Sequence, residues 1–203
     1  AKIGPKNIRI STKGLNHTIK TDHLTELKGS HNSENIAAAL LACLALGVDI
    51  NKAEKGLKKF KNLPHRMAFI KTIDGVSFYN DSKGTNTDAV IRALRCFEKN
   101  IILILGGREK GTDFSLLIHD IQKRVKTVIA LGESRTLIKN TFKKICPVLE
   151  ILTMKEAVQT AFDTAVKDDI VLLSPACASF DMYENYAHRG NDFTALVKAL
   201  GHE

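Results

Sequence analysis

Ile101-Ile102-Leu103-Ile104-Leu105-Gly106-Gly107 is the segment that speaks most plainly for the architecture. Five aliphatic residues follow one another without a polar break, and two glycines end the run. A strand with one wet face would alternate; an unbroken run of this length fits a strand covered on both sides. Further apolar strand runs lie at Thr127 to Leu131, Val148 to Leu152 and Ile170 to Leu173. Helical patterns fill about 87–98, 114–123, 134–143, 154–166 and 191–200. Upstream, Met67 to Ile73 and Val76 to Tyr79 flank Asp74-Gly75, a pair suited to a two-residue hairpin turn. Strand–helix repetition of this kind predicts an α/β fold: a mostly parallel sheet with helices on both faces.

The first 63 residues read differently. Ile8-Arg9-Ile10 and Thr18-Ile19-Lys20 alternate as short strands, with Gly14 and Asn16 between them. Gly29-Ser30-His31-Asn32 breaks the pattern, and Ser30 is expected to cap a helix running from Ile36 to Leu46. That helix is apolar nearly all round, through Ala37-Ala38-Ala39-Leu40-Leu41-Ala42, so it asks for cover on several sides. The few strands here cannot supply it, and the segment is expected to be the tail of a larger domain. The opening Ala1-Lys2-Ile3, without Met, is expected of a processed product or a cut piece.

Composition excludes several function classes. With 44% hydrophobic residues in 203, a core is within reach. No apolar run reaches membrane-spanning length and no secretory signal is read, so no membrane insertion is expected; the scattered cysteines are those expected of a reducing, cytoplasmic setting. Cys43, Cys96, Cys146 and Cys177 lie far apart and make neither a zinc spacing nor a disulfide framework. The net charge of +8 is spread along the chain, and the Lys52 to Lys61 run reads as the solvated face of a helix, so nucleic acid is not an expected partner.

In a parallel sheet, ligands gather beyond the carboxyl ends of the strands. That rule selects loops 80–86, 106–113, 132–134 and 174–181. The first, Asn80-Asp81-Ser82-Lys83-Gly84-Thr85-Asn86, combines a carboxylate, an ammonium and two hydroxyls before a helix start, where unpaired N–H groups favour anions. Read blandly, it is a polar turn with Asn86 or Thr87 as the cap. The second, Gly106-Gly107-Arg108-Glu109-Lys110-Gly111, looks like a phosphate loop but lacks the Lys that a Walker A places after its last glycine; Lys110 could hold a carboxylate instead. In Ser174-Pro175-Ala176-Cys177-Ala178-Ser179-Phe180-Asp181, Ser179 can donate to a carboxylate, and Cys177 reads as a packed thiol rather than a nucleophile. Asn32 and Asn35 share a helical face and could read a base edge or simply serve as caps. Arg66 could reach a phosphate, His65 reads as a linker, and His188-Arg189-Gly190 as a turn before the last helix.

Together these pieces resemble one family, the Mur ligases of bacterial cell-wall synthesis. The carriers are Gly29 to Asn35, Leu63-Pro64-His65-Arg66, Asn80 to Asn86, Gly106 to Lys110 and Ser174 to Asp181, in family order and with approximately family spacing. The wording of the Asn80 and Ser174 loops is similar to the member that adds D-glutamate; Gly84 stands where Ala is common, and Tyr183 and Tyr186 where Phe is frequent. The resemblance implies that residues 1–63 end a central ATP-binding domain and that 64–203 form a Rossmann-like C-terminal domain. It implies an ATP-dependent amide ligase that joins D-glutamate to UDP-MurNAc-L-Ala through an acyl phosphate, in peptidoglycan precursor synthesis. ATP and Mg²⁺ are the implied cofactors, with the metal ligands expected upstream and none among these residues; the implied state is a monomer, inactive in isolation for want of a P-loop. It assigns Asn32, Asn35, Arg66 and Asp81 to ATP, and Lys83, Thr85, Lys110, Ser179, Phe180 and Tyr186 to D-glutamate, with Lys110, Asp81 and Arg66 nearest the chemistry. Rival readings are another Mur ligase or a folylpolyglutamate synthetase, and a non-enzymatic binding module for an acidic amino acid or a nucleotide.

Overall fold

The computed structural model describes residues 1–4, 7–12, 15–20, 30–60 and 62–201. Gly14, Gly29, Lys61 and the side chains of Ser30 and His31 lie outside the described residues. The chain divides into two compact units, 1–62 and 63–203.

In the first unit, β1 (Lys2–Ile3), β2 (Asn7–Thr12) and β3 (Leu15–Lys20) form an antiparallel sheet in that order. The helix α1 (Ser30–Ala45) begins at Ser30 itself, and α2 (Ile50–Lys59) follows. Asp49 caps α2 by accepting from Asn51 N and Lys52 N, both at 3.1 Å. The expected alternation holds in β2, where Ile8 and Ile10 are buried and Arg9 is exposed. These two, with Ile19, pack against Ile36, Ala37 and Leu40 on one side of α1. Ala38, Ala39, Leu41 and Ala42 are exposed, so among the described residues the apolar helix is covered on one side.

The second unit is built on a six-stranded sheet of order β4-β5-β9-β6-β7-β8. The hairpin β4 (Ala68–Ile73) and β5 (Val76–Asn80) turns at Asp74-Gly75, whose φ angles of 50° and 81° are the two positive values a type I′ turn requires. β6 (Ile101–Gly106), β7 (Val125–Leu131), β8 (Val148–Ile151) and β9 (Ile170–Leu173) run parallel to β5. β9 comes last of the six in sequence and lies between β5 and β6.

Period 2 divides the core into two layers. Ile101, Leu103 and Leu105 face one way, toward α3 (Thr87–Leu94), a 3₁₀ turn at Phe114–Leu117, α4 (Ile118–Arg124) and α5 (Arg135–Phe142). Ile102 and Ile104 face the other way, toward α6 (Met154–Thr164) and α7 (Tyr186–Ala199). All five are at most 1% exposed, which accounts for the unbroken apolar run. Burial of each such side chain stabilises by about 1.5–3 kcal/mol.

Asn86 caps α3, its side chain accepting from Ala89 N at 2.8 Å. α3 stops at Leu94, short of the expected 98, and the expected helix over 114–123 opens as the 3₁₀ turn. The larger correction concerns α7. His188-Arg189-Gly190 is no turn; α7 starts at Tyr186, capped by Asn185, which accepts from His188 N at 2.9 Å. A glycine inside a helix costs about 1 kcal/mol relative to alanine. Here it makes room: a Cβ on Gly190 would lie 2.3 Å from His65 Nδ1.

Candidate active site at the carboxyl ends of the strands

Three of the four loops selected by strand direction meet around one cleft of about 400 Å³. Its lining includes Thr85 after β5, Arg108, Lys110 and Thr112 after β6, and Cys177, Ala178, Ser179 and Phe180 after β9, with Asn185 and Tyr186 at the start of α7. Five residues expected to receive the amino acid, Thr85, Lys110, Ser179, Phe180 and Tyr186, are thus brought together. Lys83 lies outside the lining but beside it, with its Nζ 3.8 Å from the centre of the Tyr186 ring. Lys110 Nζ is 5.4 Å from the Phe180 ring centre. Two cations held over aromatic faces at one cleft make an electropositive, partly apolar setting suited to a small anion.

The loops are fixed from behind. Arg189 of α7 is only 2% exposed, and among the described residues it pairs with no carboxylate at salt-bridge distance. Its Nε donates to Ser82 Oγ (3.0 Å), Nη2 to Ser82 O (2.9 Å) and Nη1 to Cys177 O (3.1 Å). One guanidinium therefore ties the loop after β5 to the loop after β9. Burial draws its pKa down to about 10, with nearby Asp181 opposing the shift. Ser82 Oγ in turn donates to Tyr186 O at 2.8 Å. Asn80 forms a second tie: its Nδ2 donates to Gly190 O (2.8 Å) and Thr194 Oγ1 (2.9 Å) and meets His65 Nδ1 at 3.2 Å, while its Oδ1 accepts from Ser82 N. Desolvation lowers the His65 pKa, which suits a neutral imidazole in this packing role. Arg189 and Asn80 escaped the sequence reading. A buried arginine held by main-chain carbonyls and a hydroxyl carries no local pattern, and Asn80 read as part of a polar turn.

Asp81 sits beneath the first loop, outside the cleft lining, 7% exposed. Its Oδ2 accepts from Ser174 Oγ at 2.7 Å and its Oδ1 from Met67 N at 3.2 Å. Burial raises its pKa to about 6, against the pull of those hydrogen bonds and of the Arg66 charge. Arg66 is exposed and also lies outside the lining. Cys177 lines the cleft, but its thiol is buried and pushed up by desolvation, as expected of a packed sulfur. Asn32 and Asn35 belong to the first unit, where Asn35 Nδ2 donates to Asn32 Oδ1 at 3.4 Å. Among the described residues no group of three or more His, Cys, Asp or Glu could hold a metal ion, and no helix is long and apolar enough to cross a membrane.

Comparison with known proteins gives a consistent answer. Residues 65–177 match the model of the Mur ligase, glutamate ligase domain. The UDP-N-acetylmuramoylalanine–D-glutamate ligase of Desulfosudis oleivorans is 40% identical over 98% of this chain and 44% of its own length. That of Francisella philomiragia is 47% identical over 87% of this chain and 43% of its own length. The chain therefore spans less than half of these relatives. Among solved structures, MurF from Acinetobacter baumannii is similar at a TM-score of 0.67, with 19% identity over 93% of this chain and 42% of that one. MurC from Thermotoga maritima is similar at 0.66, with 15% identity over 90% of this chain and 42% of that one. At such identities the structural likeness speaks for the fold.

Proposed function

The chain belongs to the Mur ligase family, and from that premise we propose that it is part of an ATP-dependent ligase joining D-glutamate to UDP-MurNAc-L-Ala in peptidoglycan precursor synthesis. Its second unit supplies the site for D-glutamate. The observation that carries this reading is the convergence of Thr85, Lys110, Ser179, Phe180 and Tyr186 on one cleft. The names of the relatives, which match this chain at 40% identity and above, support D-glutamate as the acceptor.

In this reading ATP supplies the phosphoryl group that turns the terminal carboxylate of the UDP-sugar substrate into an acyl phosphate. The chain's own residues then position the attacking amine. Lys110 neutralises one carboxylate of D-glutamate, while Ser179 and Thr85 donate hydrogen bonds to carboxylate oxygens. Phe180 and Tyr186 exclude water from the cleft and strengthen those charges. Held in this way, the amine attacks the acyl carbon, a tetrahedral intermediate forms, and phosphate leaves; orientation is the main contribution asked of this unit. Arg66 and Asp81 are assigned to the phosphate and ribose side of ATP, and Asn32 and Asn35 to its adenine. In this reading the Asp81 carboxylate accepts from a ribose hydroxyl. Mg²⁺ ligands are assigned to no residue of this chain. We further propose a cytoplasmic monomer.

The test is ATP-dependent phosphate release by the full-length ligase with UDP-MurNAc-L-Ala and, separately, D-glutamate, L-lysine or meso-diaminopimelate. Turnover with D-glutamate alone is expected. Turnover with another amino acid would retain the family and refute the acceptor. Lys110→Ala should abolish D-glutamate use and leave ATP binding intact; unchanged D-glutamate kinetics would remove Lys110 from its role.

A further inference from the structure

The cleft contains a cation that the chemistry above does not use. Arg108 lines it two residues before Lys110. Its main chain is fixed: Arg108 N donates to Ala178 O at 2.9 Å, and the two residues form an isolated antiparallel bridge. Arg108 and Lys110 both line the cleft, so the two cations serve one surface. The guanidinium itself is held loosely. Its Nη2 meets Glu133 Oε1 at 3.4 Å, with the two side chains 44% and 54% exposed. A single, long, solvated contact of that kind contributes little.

The main chain at Glu133 is anchored as well. Its own N–H is held by Asp181 Oδ2 at 3.0 Å, and the next residue, Ser134, donates its N–H to Gly107 O at 3.1 Å. The pair is therefore a guanidinium on a fixed root facing a carboxylate on a fixed loop, joined by one contact. A ligand with one carboxylate is satisfied by Lys110 and leaves that contact in place. A ligand with a second carboxylate offers the guanidinium a planar, two-pronged partner inside the cleft, a better match than the contact it has.

We propose that Arg108 makes the cleft selective for acceptors bearing two carboxylates, and that Glu133 is the internal counter-ion displaced by the second one. This rests on the reading that the cleft receives an acidic amino acid.

The experiment is an NMR titration of the ¹⁵N-labelled chain, whose spectrum also reports that each variant is folded. The probes are D-glutamate, glutarate and D-alanine. Arg108→Ala is expected to weaken D-glutamate and glutarate about tenfold and to change D-alanine less than about twofold. Arg108→Lys should recover only part of the loss, because an ammonium lacks the planar fork. Glu133→Gln should tighten both dicarboxylates about threefold by removing the competitor, and should have no effect in the Arg108→Ala background. Equal losses for all three probes in Arg108→Ala, or no loss for the dicarboxylates, would overturn the proposal. So would a Glu133→Gln variant that binds like the parent. If glutarate binds and depends on Arg108 while D-glutamate has no advantage over it, the selectivity proposal stands and D-glutamate as the acceptor falls. Failure of the parent to bind any probe would overturn both.

Discussion

Arg189→Met is the substitution that most directly tests how the cleft is held together. Methionine fills much of the same volume and removes three donors. Ser82 Oγ keeps a role by donating to Tyr186 O, but Ser82 O and Cys177 O lose the Arg189 partner. A buried carbonyl stranded in this way costs about 1–3 kcal/mol, so the gross loss is about 2–6 kcal/mol. Against it stands the relief of a buried charge, whose cost shows in the pKa drawn down to about 10. The balance should fall in the lower half of that range, about 3 kcal/mol. For a unit of this size that lowers Tm by about 10 °C. Urea and thermal unfolding of the whole chain, followed by circular dichroism, measure it, with Arg189→Lys expected to fall between parent and Met because one amine cannot reach three acceptors. A Met variant melting within about 2 °C of the parent would mean that desolvation cancels the three hydrogen bonds, and the account of Arg189 as the tie between the loops would be wrong.

Other outcomes follow from single contacts. Asp81 has a folded pKa raised to about 6, so its contribution to stability is full below the ordinary carboxylate range and is lost as pH rises through 6. Asp81→Asn should flatten the fall in urea midpoint between pH 4.5 and 7.5 by roughly one titrating group; an unchanged slope would assign that fall elsewhere. Gly190→Ala places a methyl 2.3 Å from His65 Nδ1 and should cost about 1–3 kcal/mol, read as faster amide exchange in loop 80–86 and in α7. Ala176 adopts a φ of 60°, so Ala176→Gly should stabilise by about 1 kcal/mol; a loss of stability would show that the methyl's packing outweighs the backbone strain.

The sequence made the layers legible because period and run length are local properties. Ile101 to Leu105 had to be covered on both faces, Asp74-Gly75 had to turn, and Asn86 sat where a cap was needed. Strand direction then marked the loops from which the cleft is built, and Lys110, Ser179 and Thr85 stood out as polar residues on those loops. Strand order was not legible, since an apolar strand records that it is buried and not which neighbours cover it. The start of α7 was missed for a related reason. Gly190 and Arg189 look like a solvated break, and only His65, more than a hundred residues away, shows why a glycine belongs inside that helix. Arg108 read as part of a glycine-rich turn, because its pairing with Glu133 and Ala178 exists only after β6, β7 and β9 are assembled.

The place of β9 bears on how this unit is made. It is the last of the six strands to leave the ribosome, yet it fills the middle of the sheet. Until it emerges, β5 and β6 lack the partner they share, and each leaves a row of backbone donors and acceptors unpaired. The nascent chain must hold two half-sheets apart and admit the late strand between them, a slow, long-range closure that leaves a window for wrong pairing. The same arrangement is a safeguard, because a product truncated before Ile170 has neither the closed sheet nor the loop carrying Ser179 and Phe180.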